Sequence, residues 1–424
     1  MPPKQERDVK RYSRKTRSRR IYYSIHVTQR VGFTDQTMLV ALLCKLGALL
    51  ELQYHFTPVH DSISSRHSGI SADLDWEGKN TGQYSGIFDY VGFDNFFAQR
   101  SKTASVEAMS CVDIVFARNT VGKQQFTNSQ DMISAVKALI VGALPNGDAP
   151  LHVRFEIARQ GDVVKWLHEL PNDLLDFNYT DIYWKFRAQH CVSEVFDSKA
   201  PKLLMHIRQG DTAVIETPWK SYVQIWGKGK DPYCERERVN DIQDNVVITV
   251  ADFEIFYTEL KSQLTVSSLS TLVHSDGFSR AFFKLNKRLD RLDLNAEKIE
   301  LLQQSREGYN DRAFKVFEKH TEAKLFVGED LDLLYELIHA FYTCDILIVG
   351  TQQRMLAKQY AFSFLEEHEG HASPLLVTLY KREAPDYAIY GNPHMQDRCL
   401  NVDLTNYDIV DVAAQVTAFL ASRY

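Results

Sequence analysis

No stretch of the 424 residues is both long and apolar enough to cross a bilayer. A spanning helix needs ~18–20 such residues, and the best candidate, residues 38–50, is short and carries Lys45. An integral helical membrane protein is thereby excluded, and no signal-peptide core follows the start. Cysteine is scarce: Cys44, Cys111, Cys191, Cys234, Cys344 and Cys399 are dispersed, with no Cys-x-x-Cys pair. That spacing argues against a structural zinc site and a disulfide framework, and predicts free thiols in a reducing, cytoplasmic setting. His368-Glu369-Gly370-His371 is one residue short of a His-Glu-x-x-His zinc helix, and Gly370 weakens such a helix, so it reads as a surface loop. There is no internal repeat.

What is present is enough apolar material, 44% of the residues, for two domains with full cores. The formal charge is −6, but nine Lys and Arg stand against Glu6 and Asp8 between Lys4 and Arg20. The first twenty residues therefore carry a net +7 and the body about −13. A basic tail without apolar periodicity reads as a solvated flexible arm, with peripheral contact to an anionic membrane or contact to nucleic acid as its alternative uses; no nucleic-acid partner is expected.

Short apolar runs alternate with helical periodicity throughout. Residues 20–27 read as a strand, followed by a loop with Arg30 and Gly32, a helix through Met38, Leu42, Leu46 and Leu49, and a strand at 51–56. This is a βαβ unit, whose loop and helix start form an anion-attracting edge. Residues 60–92 read as a loop excursion. Strands at 112–117 and 151–158 flank a helix at 129–141, and a further helix is predicted over 180–196. Strands follow at 203–207, 268–274, 325–327, 345–350 and 375–379, with helices at 248–264, 279–288, 331–342, 355–365 and 408–423. The pattern predicts an α/β chain with a tail at 1–20, an N-terminal domain at 21–200, a C-terminal domain at 201–405 and a terminal helix at 406–424.

The most informative stretch is the run from Lys202 to Trp219. An apolar strand ends in His206-Ile207-Arg208-Gln209-Gly210-Asp211, so charged groups are delivered at its carboxyl end, where ligands of parallel sheets bind. Arginine suits a phosphate, since its planar fork of donors matches phosphate oxygens. Asp211 and Glu216 supply carboxylates nearby. An Arg208–Asp211 ion pair closing the turn is the structural alternative. Trp219, Tyr222 and Trp226 follow, rings able to stack on sugar faces or to pack in a core. Asp276, after Ser275 at the end of a strand, can accept from two adjacent donors of a ligand or cap the next helix.

His-Ile-Arg-x-Gly-Asp with a glutamate ten residues after the histidine resembles the donor-site motif of the GDP-fucose-dependent fucosyltransferases, above all the α1,6 and nodulation-type enzymes, with α1,2 and protein O-fucosyltransferases as relatives. Three other pieces stand in the family's order. These are the Gly-containing loop before the first long helix, the Ser275-Asp276 turn, and Asp345-Ile346-Leu347-Ile348-Val349-Gly350-Thr351-Gln352-Gln353, with Tyr360 further on. Gln352 and Gln353 replace the serine pair usual in the α1,6 branch. The match is firm from Lys202 to Tyr360 and thin from Ile21 to Phe56.

The resemblance implies a GT-B-like fold, two facing doubly wound Rossmann-like domains, and an inverting, metal-independent transfer of fucose from a GDP-sugar to a glycan hydroxyl. It places His206, Arg208, Gly210, Ser275, Asp276, Gly350, Thr351, Gln352, Gln353 and Gly32 around the donor, and Arg30, beside Gly32 in the same loop, joins them by its charge alone. Glu216 is implied as general base, with Asp211 second, and Arg208 as the charge that stabilises the leaving diphosphate. By their stacking chemistry, not by the resemblance, Trp219, Tyr222 and Trp226 are the candidates for the acceptor. No cofactor is implied beyond the GDP-sugar co-substrate. The rival readings are the same architecture with GDP-mannose or a UDP-sugar, and a non-catalytic nucleotide- or carbohydrate-binding protein.

Overall fold

Leu203, Leu204 and Met205 are consecutive and all fully buried, so the strand they form is covered on both faces, as the middle of a parallel sheet requires. A computed structural model describes residues 20–26, 33–56, 92–101, 109–146, 148–159, 161–190, 192–197, 199–209, 213–224, 234–237, 248–266, 268–328, 331–350, 354–365, 373–381 and 397–423. The chain divides into two compact units: Met1–Cys191 with Lys358–His371 and Tyr387–His394, and Val192–Ala357 with Ala372–Asp386 and Met395–Tyr424.

The first unit contains β1 (Ile21–His26), α1 (Phe33–Leu49), β2 (Gln53–Tyr54), α2 (Phe93–Arg100), β3 (Ser110–Ala117), β4 (Thr120–Val121), β5 (Gln124–Gln125), α3 (Ser129–Ala143), β6 (Leu151–Arg159), α4 (Asp162–His168) and α5 (Tyr179–Gln189). Its sheet runs β2-β1-β6-β3-β4-β5, parallel through β3 and antiparallel beyond it. The expected βαβ unit is present, with β2 beside β1. The predicted helix over 180–196 ends at Gln189, where His190 turns extended (φ −125°, ψ 139°) and stacks on Phe186. His, Val and Ser are weak helix formers, and nothing at 192–197 prolongs the turn.

α1 is apolar on all sides, with Met38 to Leu43 and Leu46 fully buried, which marks an interior helix. Lys45 is buried with them. Its ammonium donates to the Leu170 carbonyl at 3.1 Å and to Asn172 Oδ1, and lies 5.5 Å over the Phe362 ring. Burial pushes its pKa down from 10.5 to about 8, with Asp173 opposing. The unfolded chain therefore binds more protons between these two values, and stability rises with pH across that window. Lys45→Met is expected to flatten the rise by roughly 3 kcal/mol at most, read as the difference between the urea unfolding curves of the two proteins from pH 7.5 to 10.5. Parallel pH profiles would contradict it.

The second unit contains β7 (Lys202–His206), β8 (Val214–Glu216), β9 (Tyr222–Gln224), β10 (Cys234–Arg236), α6 (Val250–Gln263), β11 (Ser270–Ser275), α7 (Ser279–Asn286), α8 (Ala296–Gln304), α9 (Tyr309–Phe314), β12 (Ala323–Val327), α10 (Leu331–Thr343), β13 (Ile346–Gly350), the start of α11 (Arg354–Ser363), β14 (Leu375–Tyr380), β15 (Cys399–Asp403) and α12 (Ile409–Ala421). Six strands form one sheet in the order β12-β11-β7-β13-β14-β15, and every pairing is parallel. Numbered within this sheet, the order is 3-2-1-4-5-6, the strand order of the Rossmann fold. β7 and β13 are its neighbouring strands 1 and 4, and the order reverses between them.

Thr249 and Asp252 close a capping box at the start of α6: the Thr249 N–H donates to Asp252 Oδ2 (2.8 Å) and the Asp252 N–H to Thr249 Oγ1 (3.2 Å). α12 is no separate appendage. Val412, Ala413, Val416 and Leu420 enter the second unit's core, as their helical spacing demands. β8, β9 and β10 form a small antiparallel sheet that the sequence pattern does not announce.

Candidate functional site

Strand register fixes which residues share an edge. His206, the last residue of β7, pairs with His274 of β11 on one side and Val349 of β13 on the other. The residues just beyond, Ile207-Arg208-Gln209, Ser275-Asp276 and Gly350, therefore lie together at the carboxyl edge of the sheet. That is the edge where open α/β sheets bind ligands, and Arg208 and Gly350 follow or end the two strands flanking the switch point.

Asp276 does not cap α7. The cap position is Phe278, whose N–H donates to Asn310 Oδ1 at 2.8 Å, while Asp276 Oδ1 accepts the Gln209 N–H at 2.7 Å. The carboxylate thus ties the loop after β7 to the turn after β11. Ser275, fully buried, accepts from the Gly277 N–H at 3.0 Å. Gly277 has φ +66°, and a Cβ there would stand 2.8 Å from the Asn310 amide, so the turn requires glycine twice over. Gly350 is also held close: a Cβ would meet Ile248 Cδ1 at 3.2 Å and Phe253 Cζ at 3.3 Å, where the start of α6 approaches the end of β13.

His206 and His274 are buried against each other, with Nδ1 atoms 3.3 Å apart, and His274 Nε2 is 3.0 Å from the Leu333 carbonyl in α10. Burial, then His274, then the charge of Arg208 push the His206 pKa well below its ordinary range; burial lowers His274 to about 4. Both rings are neutral near pH 7. Arg208 is half-buried. Gln209, unremarked in the motif, is 2% exposed, and its side-chain nitrogen has no hydrogen-bond partner among the described residues. An orphaned buried donor costs ~1–3 kcal/mol, so an acceptor, from water or from a ligand, is favoured there.

Glu216 lies on β8, exposed, with Lys220 Nζ 3.0 Å from its carboxylate and its backbone N–H donating to the Tyr309 hydroxyl at 2.7 Å. Tyr222 is its cross-strand partner. Tyr309, whose pKa burial raises to about 12, packs edge-on against Phe278 (4.8 Å) and Phe282 (5.1 Å). A cavity of about 260 Å³ lined by Phe278, Ser279, Phe282, Arg306, Tyr309 and Asn310 lies beside the Asp276 turn. Trp219 is engaged within the protein, its indole N–H donating to Glu235 and the Lys298 ammonium lying 4.9 Å over its ring. Arg30, Gly32, Gly210, Asp211, Trp226, Thr351, Gln352 and Gln353 lie outside the described residues.

A second polar cluster occupies one face of the first unit's sheet. Ser24 Oγ is 2.9 Å from His152 Nε2 and 3.1 Å from His26 Nε2. His152 Nδ1 faces Cys111 Sγ at 3.9 Å, so the carboxylate that orients the histidine of a serine triad is replaced by a thiol, and Ser24 is fully buried. Among the described residues no group of three or more His, Cys, Asp or Glu is disposed to hold a metal, and no helix is long and apolar enough to cross a membrane. Two Asp-x-Asp triplets, Asp73-Leu74-Asp75 and Asp330-Leu331-Asp332, stand in the sequence, with their side chains outside the described set.

The strand order and the edge it creates make this an α/β protein with a Rossmann-like second unit. No protein-family model, curated protein or solved structure matches the chain.

Proposed function

We propose that the chain is an inverting glycosyltransferase of GT-B type that moves a sugar, fucose first among the candidates, from a GDP-sugar to a carbohydrate hydroxyl. One observation supports this above the others: the motif arginine, Arg208, follows the first strand of a 3-2-1-4-5-6 sheet, and Gly350 ends the strand across the switch point. A diphosphate at that point meets a guanidinium on one side and the segment opening α11 on the other. The cavity beside Asp276, flanked by Phe278, Phe282 and Tyr309, suits a planar base.

In the proposed reaction the acceptor oxygen attacks the anomeric carbon while its proton passes to Glu216, with Asp211 the second choice. The bond from that carbon to the phosphate oxygen breaks, and its electron pair leaves with GDP. Charge grows on the diphosphate as the bond breaks, so Arg208 stabilises the transition state more than the ground state. No step calls on a metal. With two Asp-x-Asp triplets in the chain, that independence is tested by transfer in EDTA, where the rate is expected to be unchanged.

A non-catalytic nucleotide-binding reading is favoured by one observation, the Glu216–Lys220 ion pair, since a base must first be released from its lysine. Thermal shift and donor hydrolysis separate the readings. GDP at 100 times its Kd is expected to stabilise the native state by about 2.7 kcal/mol, with UDP giving far less, and GDP-fucose is expected to be hydrolysed slowly in the absence of acceptor. A larger shift with UDP would redirect the donor. A GDP shift with no hydrolysis or transfer would leave a binding protein, and no shift with either nucleotide would remove the reading.

A further inference from the structure

The buried histidine pair at the ends of β7 and β11 has only one hydrogen-bond arrangement open to it. The Leu333 carbonyl only accepts, so His274 must carry its proton on Nε2, 3.0 Å away. A neutral imidazole has one N–H, which leaves His274 Nδ1 bare. Two bare nitrogens 3.3 Å apart would repel, so His206 must present Nδ1–H to His274. A proton there leaves His206 Nε2 bare in turn. Burial of both rings, with Arg208 near, opposes a second proton on either one. Among the described residues His206 Nε2 has no hydrogen-bond partner.

We infer that His274 is a positioning residue that locks His206 in the Nδ1–H tautomer, so that His206 Nε2 accepts a hydrogen bond from a hydroxyl of the bound nucleotide or its sugar. The inference rests on the nucleotide reading above and divides the labour at the switch point. Arg208, with donors only, takes the anion. His206, with a lone pair only, repels phosphate oxygens and takes a hydroxyl. Nothing in the sequence near His206 announces the lock, because its partner is 68 residues away and is brought alongside only by the parallel register of β7 and β11.

The test uses the full chain labelled with ¹⁵N-histidine at pH 7.5. Long-range ¹H–¹⁵N spectra, assigned with the His206→Asn and His274→Phe variants, are expected to show His206 protonated at Nδ1 and bare at Nε2, and His274 the reverse. A His206 protonated at Nε2 overturns the lock whatever ligand the protein takes. His274→Phe is expected to release His206 to its ordinary tautomer mixture. His274→Gln, whose amide supplies one acceptor and one donor, is expected to restore the signature. Calorimetric titrations then use three probes: inorganic pyrophosphate, GDP and GDP-fucose.

In His274→Phe, pyrophosphate affinity is expected to be unchanged. A loss of about tenfold on both GDP and GDP-fucose assigns the hydroxyl to the ribose, and a loss on GDP-fucose alone assigns it to the transferred sugar. Equal losses for pyrophosphate and GDP would make His206 an anion ligand and contradict the assignment, as would unchanged affinity for all three. If the parent protein binds none of the three, the nucleotide reading fails and the hydroxyl assignment with it, while the spectra still decide the tautomer.

Discussion

Arg208→Ala is expected to weaken GDP binding by roughly two to three orders of magnitude while leaving the melting temperature of the apo protein within a few degrees. Removing one partner of a charge-assisted pair costs ~2–5 kcal/mol, because the phosphate loses its donors and stays partly desolvated. The side chain is half-buried in the loop just after β7, so its loss leaves no large cavity in the core formed by Leu203, Met205 and Ile207. Arg208→Lys is expected to fall between the two, since an ammonium keeps the charge but not the planar fork. Calorimetry on the three proteins checks this, and equal affinities would remove Arg208 from the site.

Glu216→Gln is expected to lower the transfer rate by ~10²–10⁴ with GDP affinity unchanged. Gln keeps the shape of the side chain and cannot take the acceptor's proton. Glu216 is exposed on β8, so its carboxylate makes little contribution to the fold beyond the pair with Lys220, and an exposed pair is worth ~0–1 kcal/mol. The backbone bond to Tyr309, 2.7 Å, survives the substitution. A variant that transfers sugar at the parental rate would move the base to Asp211 or elsewhere. A variant that loses GDP binding would make Glu216 a donor ligand.

Most strands of the second unit were legible because buried parallel strands are written as apolar runs. Leu203 to Met205, Ile346 to Val349 and Leu375 to Leu379 need no partner to be recognised. Their order was not legible, since pairings such as Met205 with Val273 and Ile348 depend on register between distant segments. β15, Cys-Leu-Asn-Val-Asp at the sheet edge, alternates apolar and polar only from Leu400 to Asp403 and carried no signal. The three-residue strands β8 to β10 are too short for any period to show. At the site, Arg208 stood out by its chemistry, whereas Gln209 looked like a spacer and His274 like an ordinary strand residue. Asp276 carried a turn signal that fitted a cap or a ligand contact, and its bond to the Gln209 N–H, across 67 residues of sequence, was announced by neither.

The proposed transfer requires a nucleoside diphosphate at the switch point between β7 and β13. A crystal structure of the full chain with GDP tests it most directly. The diphosphate is expected within ~3 Å of the Arg208 guanidinium and against the segment after Gly350, with the base toward Asp276 and Phe278. GDP bound away from that edge, or Arg208 turned from the phosphates, would contradict the account.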